Sequence, residues 1–205
     1  MASDRLQEPS ASPQQRARRG LELRVAGPAS DHAAVPRAPR LAVLEPLRVV
    51  AVRALPAADR GWIEALREGG VTRLPPPGRW EGDAMCVVWR SPTEYWIVTR
   101  QPALLDPVVA ALRPGATALA CAVDHSAGTV GIELQGEELD EVLARLMDAA
   151  AIAALPGQAT RARCADLAVV LLRLQAQRAW LLVERPVADY LLDWLRLACD
   201  RVDAG

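Results

Sequence analysis

Residues 129–147 read TVGIELQGEELDEVLARLM, and their pattern decides the architecture. Thr129 to Leu134 is rich in β-branched and aliphatic residues and reads as a strand that ends at Gly136. Glu137 and Glu138 follow in the first turn of a helix, where negative charge is favoured. Leu139, Val142, Leu143, Leu146 and Met147 then recur at i, i+3, i+4, i+7 and i+8, which makes one helical face apolar. A strand, a glycine and an amphipathic helix open a βαβ unit.

Reading toward the C-terminus, a loop surrounds Pro156-Gly157. An apolar run from about Ala162 to Leu174 reads as one long strand. A turn at Gln175 to Arg178 leads to a strand at Trp180 to Val183. A helix starts near Pro186, a good first-turn residue, with Val187, Tyr190, Leu191, Trp194, Leu195 and Ala198 on one face. The second half is therefore β-α-β-β-α. Toward the N-terminus, Leu47 to Leu55 reads as a strand. Asp59 caps a short helix carrying Trp62, Ile63 and Leu66, which Gly69-Gly70 ends. After the Pro-rich loop 74–78, strands at Ala84 to Trp89 and Tyr95 to Thr99 flank a tight reversal at Ser91 to Glu94. Leu104, Leu105, Val108, Val109 and Leu112 mark a helix closed by Pro114-Gly115, and Ala116 to Val123 is a strand. This half is β-α-β-β-α-β.

The expected fold is α+β: tandem ferredoxin-like (split βαβ) units, with antiparallel sheets and helices on one face of each. The units span 43–125 and 126–205 within one compact domain. The sheet faces turned away from the helices need a cover, either the sister unit or another protein. Residues 1–42 are rich in Pro, Ala, Ser and Arg and lack periodicity. They are expected to be an N-terminal tail, disordered or ordered by a partner, with Arg16, Arg18 and Arg19 available to an acidic surface.

The 205 residues carry a formal net charge of -1, so no whole-chain field draws nucleic acid or an anionic membrane. All the basic side chains are arginines. Without lysine, Schiff-base chemistry and a phosphate-loop lysine are excluded. Cys86, Cys121, Cys164 and Cys199 lack metal or redox spacing and read as buried small hydrophobes, which suits a reducing compartment. The chain has no leader-like apolar region and no uncharged apolar run of about 18 residues. A soluble, cytoplasmic protein is expected.

Chemistry is sparse. There is no Gly-x-Gly-x-x-Gly fingerprint after a strand; Gly128, Gly131 and Gly136 have the wrong spacing. His32 lies in the tail. His125 sits in Asp124-His125-Ser126, but successive residues on an extended chain point to alternate faces and form no relay; a turn with Asp124 or Ser126 bonding local backbone is expected. Glu137, Glu138, Asp140 and Glu141 read as a solvated helix face. Asp166, inside the apolar run, needs a partner, and Arg161, Arg163 and Arg173 are the nearby candidates. No catalytic, cofactor-binding or metal-binding residue is expected in this chain.

The segments 89–96, WRSPTEYW, 123–136, VDHSAGTVGIELQG, and 185–195, RPVADYLLDWL, together resemble the gamma subunits of heterotetrameric sarcosine oxidases. Trp89-Arg90-Ser91-Pro92-Thr93-Glu94-Tyr95-Trp96 is similar to their Gly-Pro-Asp-Glu-Trp-type reversal. Val123-Asp124-His125-Ser126 through Val130-Gly131-Ile132-Glu133-Leu134-Gln135-Gly136 resembles their Asp-x-Ser turn, strand and glycine. Arg185-Pro186-Val187-Ala188-Asp189-Tyr190-Leu191-Leu192-Asp193-Trp194-Leu195 resembles their Arg-Ser-Phe-Ala-x-Tyr-Leu-x-x-Trp-Leu. The resemblance runs over about residues 45 to 200. Pro186-Val187 replaces the usual Ser-Phe, Asp166 a common threonine, and Ala149 to Leu155 lacks the usual Asp-Leu pair. The amine substrate is left open: sarcosine, or another N-methyl or secondary amine.

The resemblance implies the fold of the folate-binding domain of the glycine-cleavage T-protein. It also implies partners: alpha, beta and delta subunits that carry FAD, FMN, NAD, tetrahydrofolate and zinc and oxidatively demethylate the amine. This chain would then be a non-catalytic accessory subunit. Its candidate partner-interface residues are Trp89, Trp96, Arg161, Arg163, Asp166, Arg173 and Arg185, with Trp80, Trp180 and Trp194 as further anchors. The competing expectation is a stand-alone folate-binding, aminomethyltransferase-like protein holding the pterin on Asp124 or Asp166. A regulatory module with ferredoxin-like repeats is a third.

Overall fold

The computed structural model describes residues 35–56, 58, 61–113 and 119–204. Asp59, read as a helix cap, and Pro114-Gly115, read as a helix stop, lie outside them, as do residues 116–118 of the expected strand and the tail through residue 34.

The described chain is α+β, with two antiparallel sheets. The first contains β2 (Arg48–Ala54), β3 (Trp80–Glu81), β4 (Cys86–Ser91), β5 (Glu94–Thr99) and β6 (Ala120–Asp124), in the order β3-β4-β5-β2-β6. The second contains β1 (Arg40–Val43), β7 (Thr129–Gln135), β8 (Ala159–Cys164), β9 (Leu167–Gln175) and β10 (Arg178–Glu184), in the order β1-β7-β10-β9-β8. The helices are α1 (Gly61–Glu68), α2 (Asp106–Ala111), α3 (Leu139–Ala144), α4 (Ala149–Ile152) and α5 (Ala188–Asp203).

Three apolar clusters fix the layers. Val50, Val52, Val87 and Ile97 of the first sheet pack with Leu66 of α1 and Val108 of α2. Ile132, Leu134, Leu171 and Leu181 of the second pack with Leu139 and Leu143 of α3 and with Leu191 and Leu195 of α5. Between the sheets, Val49, Val88 and Val98 meet Val170, Leu172, Trp180 and Leu182. Strand alternation sends one set of side chains to the helices and the other to the opposing sheet. Each inner face is therefore covered by the sister sheet.

Two expectations need correction. The run from Ala162 to Leu174 is two strands, β8 and β9, paired antiparallel with Cys164 opposite Leu167. Ala165 and Asp166 make the turn, with φ of 47° and 65°. A two-residue hairpin with both central residues in the left-handed region normally signals itself with Asn or Gly, and Ala-Asp does not. Asp166 is thus at an exposed turn, not inside a strand, and Arg163 bonds its carbonyl at 2.5 Å.

The second correction concerns the tail boundary drawn at residue 42. Residues 40–43 are a strand of the second sheet, with Leu41 opposite Leu134 and Val43 opposite Ile132. The prolines at 36, 39 and 46 hid it, because so short a strand between them shows no periodicity. Gly136 makes the approach possible: a Cβ there would lie 2.5 Å from Cα of Pro39. The helix after Gly136 is also shorter than expected. α3 ends at Ala144, and Met147 instead forms a β-bridge with Cys164.

Changing Ala165→Asn together with Asp166→Gly should raise stability by about 1 kcal/mol, because both residues then fit positive φ. Urea unfolding of the two proteins checks this, and an unchanged or lowered midpoint would contradict the turn geometry.

Candidate functional site

The chain crosses between the sheets twice, through residues 44–47 from β1 to β2 and through residues 125–128 from β6 to β7. The two links meet. Asp124 Oδ1 accepts hydrogen bonds from the Ser126 amide at 2.8 Å and hydroxyl at 2.5 Å. The amide of Val49 donates to Ser126 Oγ at 3.0 Å, and the amide of His125 donates to the Val49 carbonyl at 2.8 Å. Arg48 reaches Asp124 Oδ2 at 3.3 Å, the Pro102 carbonyl at 2.9 Å, and Asp106. Asp124-His125-Ser126 is thus a lock on the β6–β7 turn and not a relay. The His125 ring lies beside Trp96, with centroids 6.2 Å apart.

Burial pushes the Asp124 carboxyl up, but the Ser126 hydroxyl and amide and the Arg48 guanidinium outweigh it and hold the group below the usual carboxylate range.

A cavity of about 800 Å³ opens beside this crossing. Leu44, Leu47, Val130 and Leu192 make its lining largely apolar; Glu45, Thr129, Arg185 and Asp189 supply the polar groups. Arg185 is held at its edge by the carbonyls of Ala127 at 2.6 Å and Thr129 at 3.3 Å. Its lining is mostly aliphatic, which suits shape-based packing of an apolar group.

A second polar cluster surrounds Trp96 in the inter-sheet layer. Arg90 lies over the ring, 4.2 Å from the centroid. Glu94 accepts from Trp96 Nε1 at 2.8 Å and from Arg53 Nε at 3.0 Å. Farther along the same layer, Glu133 Oε2 accepts from Trp180 Nε1 at 2.7 Å and from Arg178 Nε at 2.8 Å. Sequence reasoning missed Arg90, Glu94 and Glu133. Glu133 was legible in principle: it alternates with Ile132 and Leu134, so it points to the inner face.

The candidate interface residues scatter. Trp96 and Arg161 both flank Arg90. Trp89 is half-buried on the helix side of β4, opposite Tyr95. Arg163 and Asp166 share the exposed β8–β9 turn. Arg173 is buried and paired with Asp140, not with Asp166. Arg185 lines the cavity. Trp80 and Trp180 pack between the sheets, whereas Trp194 is exposed. Burial pushes the thiols of Cys86 and Cys199 up to about 11 and that of Cys164 up to about 12, so all three stay protonated and unreactive. Among the described residues no group of three His, Cys, Asp or Glu could hold a metal ion, and no helix is long and apolar enough to cross a membrane.

No family model matches the sequence, and a search of curated proteins finds no relative. Solved structures do match. A chain of heterotetrameric sarcosine oxidase from Corynebacterium sp. U-96, in complex with pyrrole 2-carboxylate, superimposes with a TM-score of 0.72 at 24% identity, over 84% of this chain and 89% of that one. This chain has a sarcosine-oxidase subunit's fold. The glycine cleavage system aminomethyltransferase T of Bartonella henselae matches with a TM-score of 0.54 at 14% identity. That match covers 78% of this chain and 46% of the transferase chain.

Because Asp124 titrates low in the folded chain, its charge supports the fold fully above the ordinary carboxylate pKa of about 3.9, and the support is lost as pH falls through the depressed value. Asp124→Asn should therefore lower the urea midpoint at neutral pH, with the gap to the parent closing under acid conditions. A gap that stays constant down the pH series would remove Asp124 from the lock.

Proposed function

We propose that this chain is the non-catalytic accessory (gamma) subunit of a sarcosine-oxidase-type heterotetrameric flavoenzyme in the cytoplasm. The observation that carries this reading is the near end-to-end match to one chain of such a heterotetramer, against less than half of the transferase chain. Its partners are alpha, beta and delta subunits. FAD, FMN, NAD, tetrahydrofolate and zinc belong to those partners, which oxidise sarcosine or a related N-methyl or secondary amine. This chain supports their assembly.

The strand orders support the tandem ferredoxin-like description as well. In each sheet a hairpin (β4–β5 or β9–β10) lies beside the unit's first strand (β2 or β7), with a closing strand (β6 or β1) beyond it. Each hairpin also carries one added edge strand, β3 or β8.

The arrangement of the carboxylates favours the accessory role over a stand-alone folate-binding protein. Such a protein needs a free carboxylate in a central pocket. Asp124 is tied to Arg48 and Ser126, and Asp166 stands on an exposed turn. Glu133, which does face the inter-sheet layer, is taken by Arg178 and Trp180.

The exposed aromatic face of α5 suits assembly. Tyr190, Trp194 and Leu197 are 51%, 40% and 42% exposed at i, i+4 and i+7, and the two rings meet edge to face at 6.3 Å. Exposed tryptophan and tyrosine side chains on one face are typical interface anchors.

A pull-down of the tagged chain from its native host, with a visible spectrum of the eluate, tests the reading. Large co-purifying chains with flavin absorbance are expected; a colourless monomer that binds tetrahydrofolate on titration would replace it with the folate-binding alternative. Trp194→Glu should abolish co-purification while changing the stability of the isolated chain by no more than about 0.5 kcal/mol, as for a surface position. Undiminished co-purification would take α5 out of the interface.

A further inference from the structure

Arg90 sits where the β4–β5 hairpin slips register: Trp89 opposes Tyr95, but the next pair is Ser91 and Glu94. Its side chain is only 13% exposed. Its Nε and Nη1 atoms are buried and have no hydrogen-bond partner. The Glu94 carboxylate stands 4.0 Å from Nε, beyond hydrogen-bond reach, and both Glu94 oxygens already serve Trp96 and Arg53.

Across the seam where β4 and β8 touch, Arg161 is exposed, and its side chain makes no hydrogen bond or ion pair with any described residue. Burial, and after it the charge of Arg161, lowers the Arg90 pKa, against the pull of Glu94. Arg53 and Arg90 thus face one carboxylate, Glu94, and the charge of Arg161 acts on Arg90 without one of its own.

A desolvated guanidinium with unmade bonds is costly, and a like charge beside it adds to the cost. The missing component is an anion. Trp96 covers one face of the Arg90 guanidinium, and Nε and Nη1 are closed to solvent, so an incoming carboxylate meets the remaining nitrogen, Nη2, with the Arg161 charge nearby. We propose that Arg90 and Arg161, bridging the β4–β8 seam against Trp96, form a seat for one carboxylate group. The carboxylate is borne by a free small molecule or by an aspartate or glutamate side chain of another protein. This inference does not depend on the proposed accessory role.

The test is a titration of the full chain, at constant ionic strength, followed by nitrogen-15 NMR of the arginine Nε–H groups. Sodium benzoate represents a free carboxylate, and N-acetyl-glutamic acid α-amide represents a side-chain carboxylate. Saturable shifts of the Arg90 and Arg161 signals are expected, with Kd in about the millimolar range for a partly exposed charge-assisted pair. Arg90→Met should abolish the response. Arg161→Gln, at an exposed position that leaves the fold intact, should weaken the Arg90 shift several-fold. Tighter binding of one probe identifies the source, and either preference supports the seat. Linear, unsaturated shifts with both probes would overturn it, as would an equal response to sodium chloride or inorganic phosphate.

Discussion

The second sheet is not complete within its own half of the sequence. Its edge beyond β7 is supplied by Arg40–Val43, which precede every strand of the first sheet. The chain must therefore start in one sheet, cross to build the other, and cross back. Two close approaches permit this. Gly136 lets the segment around Pro39 pass over its backbone. Gly131 leaves room for Leu44 and Leu47, whose methyl groups would stand 2.9 Å from a Cβ at that position. The Leu44 amide then bonds the Gly131 carbonyl at 2.8 Å. A side chain at Gly136 would collide with the Pro39 backbone, and one at Gly131 would push the Leu44 and Leu47 methyls aside.

That lacing accounts for where function can reside. With the two links pinned against each other, the inner faces of the sheets close on Trp80, Trp96, Trp180 and a set of aliphatic side chains. Large aromatic rings bury about 150–250 Å² each, and here they fill much of the layer between the sheets. The polar groups in the layer are mostly satisfied in pairs, Glu133 with Arg178 and Glu94 with Arg53. What remains open lies at the margins: the Arg90 guanidinium at the β4–β8 seam, the apolar cavity at the crossing, and the aromatic face of α5.

Much of this was legible in the sequence, for identifiable reasons. β7 and the start of α3 carry strong periodicities, although the helical one runs past the end of α3 at Ala144, and the hairpin at Ser91 to Glu94 carries Pro92 at its turn. That the inner faces need a cover followed from amphipathicity alone; that the sister sheet supplies it is shown by the fold. The failures were equally physical. Ala165-Asp166 adopts a conformation that its residues do not advertise, so one strand was read where two exist. Arg40–Val43 is held by ladder hydrogen bonds and by packing against the second core, and neither leaves a sequence period in four residues. Asp166 looked like a buried charge only because the strand was drawn through it. Arg90, whose buried Nε and Nη1 are unpaired, owes its position to a register slip that no pattern announces. The partner-interface residues are not among these failures; the fold divides their arginines, tryptophans and Asp166 between core, turn, cavity and seam.

The lacing of β1 into the second sheet is the claim on which the layered account stands, and native-state hydrogen exchange measures it directly. The inward-bonded amides of residues 40–44 should exchange within about tenfold of those in β7, through the same global opening. If they exchange orders of magnitude faster, like a tail, then β1 is not part of the sheet. The crossing would no longer pin the two sheets together, and the closed interior would lose its explanation.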